Sequence, residues 1–157
     1  MKRLSLLFAL VISPLVLAGG GEVAYPEGYR DWTHVKSMLI EEGHPLYGAF
    51  GGLHHIYANK KGMAGYRSGK FADGATIVFD LLSVERGDAA VTEGPRKVLG
   101  VMHKNSERYA ETGGWGFEGF AGGDRNERVV GAGGGEACFA CHVPQKERDY
   151  VFSQLRD

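Results

Sequence analysis

Residues 75–84 read ATIVFDLLSV and form the strongest β-strand pattern in the chain. β-branched and aromatic residues dominate the segment, and they fit the pleated surface of a sheet. Because successive side chains of a strand point to opposite faces, Ile77, Phe79 and Leu81 share one face. That face is wholly apolar, so the sequence predicts a strand that packs one side against a core.

The segments on either side of this strand predict a mixed architecture. Residues 28–42 carry Trp32, Val35 and Leu39 at helical spacing, which predicts a first helix. The other predicted elements are strands at 53–59, 96–103 and 115–120, helical segments at 60–68, 106–111 and 145–155 (with Tyr150, Val151 and Leu155 facing the core), and a glycine-rich connection at 122–135. This order predicts an α+β fold, mainly an antiparallel β-sheet with flanking helices.

Length and composition fit a single globular domain. The chain has 157 residues, of which 43% are hydrophobic and 24% are charged. This composition excludes wholesale disorder. The net charge of -1 offers no general attraction to nucleic acid, so no nucleic-acid partner is predicted. Two cysteines are too few for a disulfide-rich scaffold.

Residues 1–18 have the pattern of a cleaved secretory signal peptide. Two basic residues precede an apolar stretch at 6–12, and residues 16–18 (VLA) offer a small-residue cleavage site. The stretch is short and interrupted for a membrane span, which makes an uncleaved anchor the weaker alternative, and no membrane association is predicted. Cleavage leaves one domain, residues 19–157, with 16 basic and 19 acidic residues and a net charge of -3. The bacterial periplasm is its predicted location.

Residues 138–142 read CFACH, which is the C-x-x-C-H signature of covalent c-type haem attachment. In that chemistry the thiols of Cys138 and Cys141 add to the two haem vinyl groups, and the two residues between them set the spacing. His142 then supplies an axial imidazole ligand to the haem iron. Bacterial attachment of c-type haem takes place outside the cytoplasm, which agrees with the predicted export. The motif predicts one covalently attached haem c.

Two other interpretations of the cysteines are weaker. A disulfide between Cys138 and Cys141 is possible, as in thioredoxin-like motifs, but no βαβ pattern surrounds the pair. A zinc site needs two further ligands, and the remaining histidines (His34, His44, His54, His55 and His103) form no second pair with ligand spacing. The histidine directly after Cys141 favours haem.

The group on the far side of the iron decides the function. A second strong protein ligand is typical of an electron carrier, whereas an open position suits a gas-binding protein or a catalyst. Met63 is the most credible axial methionine, and Met38 and Met102 fit core positions better. His54 and His55 are a tandem pair on a predicted strand, so at most one of them faces a given pocket. The residues alone do not identify the sixth ligand of the iron, the one opposite His142.

Over most of its length beyond residue 18, the chain resembles the cytochrome P-460 superfamily of small exported c-type cytochromes. The segments that carry the resemblance are Tyr29-Arg30-Asp31-Trp32, Tyr57, Asp73-Gly74, Lys104-Asn105-Ser106, Trp115-Gly116-Phe117, the C-x-x-C-H motif and Asp149-Tyr150-Val151-Phe152. The resemblance implies a fold built mainly of antiparallel β-sheet, and not the four-helix bundle of ordinary cytochromes c′. It also implies a homodimer.

The resemblance further implies one of the two branches of this superfamily. Cytochromes P-460 proper oxidise hydroxylamine and cross-link a lysine to the haem, but Phe79 stands at the lysine position and Gly100 near that of the distal acid. Cytochromes c′-β have a five-coordinate haem whose distal side is capped by two phenylalanines, and Phe50 and Phe79 match them. From the residues alone, core packing of Phe79 and loop anchoring by Phe50 are the alternatives.

The c′-β branch implies a gas-binding haem protein rather than an enzyme. Two phenylalanine rings offer a ligand no hydrogen bond, which favours nitric oxide and, more weakly, carbon monoxide over O₂. The implied role is NO scavenging, transport or detoxification. One alternative is a hydroxylamine- or NO-oxidising P-460 enzyme, whose cross-link would come from Lys60, Lys61 or Lys70, residues that otherwise fit a solvated surface. The other is a six-coordinate electron-transfer cytochrome c.

Overall fold

The computed structural model describes residues 23–156, except for the side chains of 132–134, and the predicted signal peptide lies outside these residues. The elements are β1 (Thr33–Ile40), α1 (Tyr47–Phe50), β2 (Gly52–Ala58), α2 (Lys60–Ser68), β3 (Thr76–Gly87), β4 (Ala90–Lys104), β5 (Trp115–Ala121) and α3 (Gly131–His142), with short 3₁₀ turns at Tyr29–Asp31, Ala110–Thr112 and Val143–Arg148. In this part of the chain no helix is long and apolar enough to cross a membrane.

The five strands form one antiparallel sheet in the order β1-β2-β3-β4-β5. Each strand pairs with the next one along the chain, so the sheet is a meander. The register places Phe79 of β3 between Ile56 of β2 and Gly100 of β4. The predicted α+β fold with a mainly antiparallel sheet is confirmed, and the architecture is not a four-helix bundle.

Helix α2 begins and ends where local signals predict. The side chain of Asn59 caps its first turn by accepting a hydrogen bond of 2.8 Å from the backbone N–H of Gly62. Gly69 ends the helix in the left-handed region, with φ of 77°, a conformation that glycine adopts without strain. The helix predicted at 60–68 is therefore confirmed.

The sheet buries apolar side chains on both of its faces. The first face carries Ile77 and Phe79, and its cluster contains Val35, Ile56, Ala58, Met63, Phe71, Ala75, Ile77, Trp115 and Val151. The second face carries Val78, and its cluster contains Val23, Tyr29, Val78, Leu99, Val101, Tyr109 and Phe120. Neighbouring residues of β3 thus fall in different clusters, which confirms the alternation predicted along this strand.

The helix predicted over residues 28–42 is wrong. The structure has a 3₁₀ turn followed by β1, which pairs with β2 along the edge of the sheet. A β-bulge between His34 and Lys36 interrupts the alternation, and Val35 joins the first-face cluster. Trp32 and Val35, which are spaced as on one side of a helix, in fact pack with clusters on opposite faces of the sheet.

The C-terminal helix predicted at 145–155 is also wrong. The helical turn ends at Asp149 and Tyr150, which have φ of 52° and 65°, and the chain then continues without helix to residue 156. Val151 is buried as predicted, but Leu155 is 37% exposed and does not face the core. Two consecutive left-handed residues cannot continue a right-handed helix, so the turn ends it.

Helix α3 begins at Gly131 and takes in residues 131–135, the end of the connection predicted at 122–135. Its sequence, GAGGGEACFACH, begins with a glycine-rich run, and glycine disfavours helix. The helix packs against β5. Tertiary packing therefore overrides the local preference of this segment.

Gly52→Ala should lower the free energy of unfolding by about 2 kcal/mol or more. Gly52 has φ of 133°, and a Cβ at this position would overlap the carbonyl oxygen of Leu82. Denaturant titration of the purified protein measures the effect. Gly48→Ala is the control, because a Cβ there meets no atom within 4 Å, and it should change the stability by less than about 1 kcal/mol. Equal stability of the two variants would contradict this role for Gly52.

Candidate haem site

The C-x-x-C-H motif occupies the last turns of α3. Positions i, i+3 and i+4 of a helix lie on one side, so Cys138, Cys141 and His142 project in the same general direction. Both thiols are free, and burial raises the pKa of Cys138. Two free thiols beside one imidazole on a helix face fit covalent attachment of a haem, with the histidine beneath the iron.

His142 is oriented as a metal-binding histidine. Its Nδ1 donates a hydrogen bond of 2.7 Å to the backbone carbonyl of Tyr150, which leaves Nε2 available to a metal. The imidazole lies between two aromatic rings, 5.1 Å from Phe117 and 4.9 Å from Phe152 between ring centroids. Burial lowers the pKa of His142, which favours the neutral form that binds metals.

The turn that carries the Tyr150 carbonyl is held by Asp149. The Asp149 carboxylate accepts hydrogen bonds of 2.6 Å from Nζ of Lys104 and 2.8 Å from the backbone N–H of Phe71. Its backbone carbonyl accepts a third, of 2.8 Å, from the indole of Trp115. These contacts hold two consecutive non-glycine residues in the left-handed region, which an unsupported chain rarely adopts.

Phe50 and Phe79 meet on the first face of the sheet. Their ring centroids are 5.6 Å apart and their planes are inclined by 79°, an edge-to-face contact. Phe50 ends α1 and is 38% exposed, and the next residue is anchored by a 2.7 Å hydrogen bond from Nζ of Lys97 to the carbonyl of Gly51. The fold thus brings together two residues that are 29 positions apart. In the sequence, only the family resemblance links them.

The surface between Phe79 and His142 is apolar and partly open. Gly100 lies opposite Phe79 on β4, where a Cβ would be 3.5 Å from the phenylalanine side chain. On the same face of β5 lies Phe117, the residue that contacts His142. Adjacent strands are about 4.8 Å apart, so β3 and β5 are separated by about 10 Å. An apolar strip of this width fits the plane of a haem.

Exposed aromatic and aliphatic side chains support this fit. Phe50, Val129 and Phe152 are large hydrophobic residues that reach the surface around the motif. A soluble protein seldom leaves such groups together without an apolar partner to cover them. A covalently held haem would be that partner.

The three methionines considered as axial ligands have different surroundings. Met63 lies on α2 and is buried in the first-face cluster with Phe71 and Trp115. Met102 is half-buried and lies between Ile77 and Phe117 on the first face. Met38 lies on β1, not on a helix as predicted, and is 43% exposed.

His54 and His55 face opposite sides of β2, as the tandem pair predicts. His55 lies on the second face, where its side chain is 16% exposed and makes hydrogen bonds with Ser37 and Glu93. His54 is only 7% exposed, and its ring lies 4.6 Å from Phe79 with the planes inclined by 34°. Burial lowers the pKa of His54 to about 4. Sequence reasoning missed this contact, although the alternation of β2 places His54 and Ile56 on one face.

The three lysines considered for a haem cross-link lie at or near α2. Lys60 and Lys70 are exposed, and Lys61 donates a hydrogen bond of 2.8 Å to the carbonyl of Asp73. Among the described residues, no three histidine, cysteine, aspartate or glutamate side chains form a group that could hold a metal ion.

An antiparallel sheet whose apolar face lies beside a helix with a C-x-x-C-H motif defines a haem protein of the α+β class. The sequence profile of the family described as Cytochrome P460 matches residues 26–153. The chain therefore belongs to that family, which confirms the resemblance seen in the sequence, and its cofactor is a haem. No protein among the curated sequences matches the chain.

Asp149→Asn should lower the free energy of unfolding by about 3 kcal/mol, because Lys104 would keep its buried charge without a carboxylate. Denaturant titration of the holoprotein measures the loss. Glu41→Gln is the control, since it removes one partner of the exposed Arg86–Glu41 pair and should cost less than about 1 kcal/mol. Similar losses in the two variants would contradict the supporting role of Asp149.

Acidification from pH 6.5 to pH 4 should destabilise the fold through His54. Its pKa of about 4 in the folded state lies below the ordinary 6.5. The unfolded chain therefore takes up the proton first, and stability falls as the pH falls through this window. In thermal melts, His54→Leu should flatten the dependence of melting temperature on pH. His55→Leu, on the other face of the same strand, should leave that dependence on pH unchanged. Three parallel curves would show that His54 is not buried in solution.

Proposed function

We propose that this protein is an exported haem protein that binds nitric oxide, and carbon monoxide more weakly, on the side of the haem capped by Phe50 and Phe79. The observation that carries the proposal is the edge-to-face contact between these two rings, 5.6 Å apart, on the same sheet face as Phe117. Phe117 in turn contacts His142, the residue proposed as the axial ligand. Residues for both sides of a haem therefore lie along one apolar strip.

In this proposal, different residues of the chain have different roles. Cys138 and Cys141 would hold the haem through thioethers, and His142 would supply an imidazole ligand to its iron. When bound, the haem supplies an iron with one open position for a small ligand. Phe50 and Phe79 exclude water from that position, and their rings have to move aside before a gas molecule enters. The cost of moving the rings lowers affinity for every ligand, so a ligand that forms a strong bond to iron, such as nitric oxide, is the one that still binds tightly.

The surroundings of Phe79 argue against a hydroxylamine- or NO-oxidising enzyme. The resemblance assigns the position of Phe79 to a cross-linking lysine and a position near Gly100 to a distal acid. The structure pairs Phe79 directly with Gly100, so the two substitutions lie side by side. A phenylalanine beside a glycine provides neither the nucleophile for a cross-link nor a carboxylate that could transfer a proton.

The biological role proposed with this chemistry is NO scavenging, transport or detoxification. It rests on the signal-like pattern of residues 1–18 and on periplasmic location, which remain predictions, as does the homodimer. Secretion of the protein with and without residues 1–18 tests the location, and light scattering of the purified protein tests the dimer.

Optical and mass spectra discriminate among the candidate functions. A gas-binding protein should show a high-spin, five-coordinate reduced haem that changes on addition of CO. A low-spin spectrum insensitive to CO would instead indicate an axial methionine such as Met102 and an electron-transfer cytochrome. A red-shifted reduced band, together with an intact mass that reveals a lysine cross-link, would indicate the oxidising enzyme.

Phe79→Val and Phe50→Val should each change the CO and NO association rates by about tenfold or more, because they open the cap over the ligand position. Stopped-flow spectroscopy of the reduced protein measures these rates. Val101→Ala is the control, since Val101 is buried in the cluster on the opposite face of the sheet. Rates in both phenylalanine variants that equal those of the control would overturn the capping role.

A further inference from the structure

One polar side chain lies within the apolar surroundings of the phenylalanine pair. His54 is 93% buried, and its ring lies against Phe79 with the centroids 4.6 Å apart. Within the described part of the chain its Nδ1 atom is completely buried and has no hydrogen-bond partner. Buried polar atoms of native proteins nearly always have a partner, so an orphaned one points to a group that the chain itself does not supply.

The strand order shows which side of Phe79 this histidine occupies. His54 lies on β2, Phe79 on β3 and Phe117, the neighbour of His142, on β5. Phe79 therefore stands between His54 and the axial histidine along the first face. A ligating nitrogen would have to pass the Phe79 ring to reach the iron. A hydrogen-bond donor would instead contact the outer atom of a bound ligand, which lies further from the iron. The position of His54 suits this role better.

We propose that His54 is a distal hydrogen-bond donor, and that Phe79 controls its access to a ligand held on the haem. This proposal deepens the proposed function and rests on it. When Phe79 covers the ligand position, Nδ1 has no partner. When the ring moves aside for a ligand, Nδ1–H meets the outer atom of that ligand. The pocket therefore selects small ligands whose outer atom accepts a hydrogen bond, although its cap consists only of phenylalanine.

Neutral imidazole has the chemistry for this role. It carries one N–H donor, and its loss of charge on burial avoids an isolated cation in an apolar site. His55, its neighbour in sequence, is excluded from the role because both of its ring nitrogens are engaged on the second face of the sheet, with Ser37 and Glu93. The two histidines thus form a matched pair for mutagenesis, one on each face of the same strand.

The C–O stretching band of the reduced, CO-treated holoprotein tests the proposal, because a donor near the oxygen lowers its frequency. His54→Leu should shift the band to higher frequency, and His54→Gln, which retains an N–H donor, should return it toward the wild-type position. His55→Leu should leave the band unchanged. In a Phe79→Ala background, the His54→Leu shift should become larger. His54→Phe serves as the apolar variant if His54→Leu does not fold.

The alternative outcomes are distinct. A band that stays in place in the apolar His54 variants would overturn the donor role while leaving gas binding intact. A wild-type spectrum that is low-spin and becomes high-spin in His54→Leu, but not in His55→Leu, would overturn it by showing that His54 ligates the iron. A wild type and variants that take up neither CO nor NO would contradict the proposed function and the donor role together.

Discussion

The carboxylate of Asp149 connects three parts of the molecule that the chain order keeps apart. It bonds Lys104 at the end of β4 and the backbone of Phe71 before β3, and the carbonyl of the same residue bonds Trp115 at the start of β5. A buried ion pair alone is a weak source of stability, but here the second carboxylate oxygen also accepts a hydrogen bond, from the backbone N–H of Phe71. Because Tyr150 follows directly, the orientation of His142 depends on this pair.

The register of β3 is fixed from the second face of the sheet. Asp80 is buried there, accepts a hydrogen bond of 2.7 Å from the hydroxyl of Tyr29 and pairs with Arg96. A slip of one residue would exchange the faces, and would place the charge of Asp80 where Phe79 now lies. The polar contacts of one face therefore determine which aromatic ring lies on the other face, where the haem is proposed to bind.

The parts of the structure that could be predicted have local signals. Residues 75–84 alternate, Asn59 and Gly69 bracket α2, and C-x-x-C-H is contiguous in sequence. The wrong predictions concern segments whose structure depends on contacts between residues far apart in the sequence. Trp32 and Val35 have helical spacing but pack on opposite faces of the sheet, and α3 forms on β5 in spite of its glycines. The Lys104–Asp149 pair spans 45 positions, and the contact of His54 with Phe79 depends on strand register, so spacing in the sequence reveals neither.

In the proposed site, the phenylalanine cap and the buried histidine would together restrict which ligands can bind. A buried polar atom without a partner costs about 1–3 kcal/mol, and leucine at position 54 would pack against Phe79 without that cost. The fold nevertheless holds the imidazole in contact with the ring that would have to move for a ligand to enter. A cap of phenylalanine alone would distinguish ligands only by size and by the strength of their bond to iron. A donor behind it adds the acceptor strength of the outer ligand atom as a second criterion.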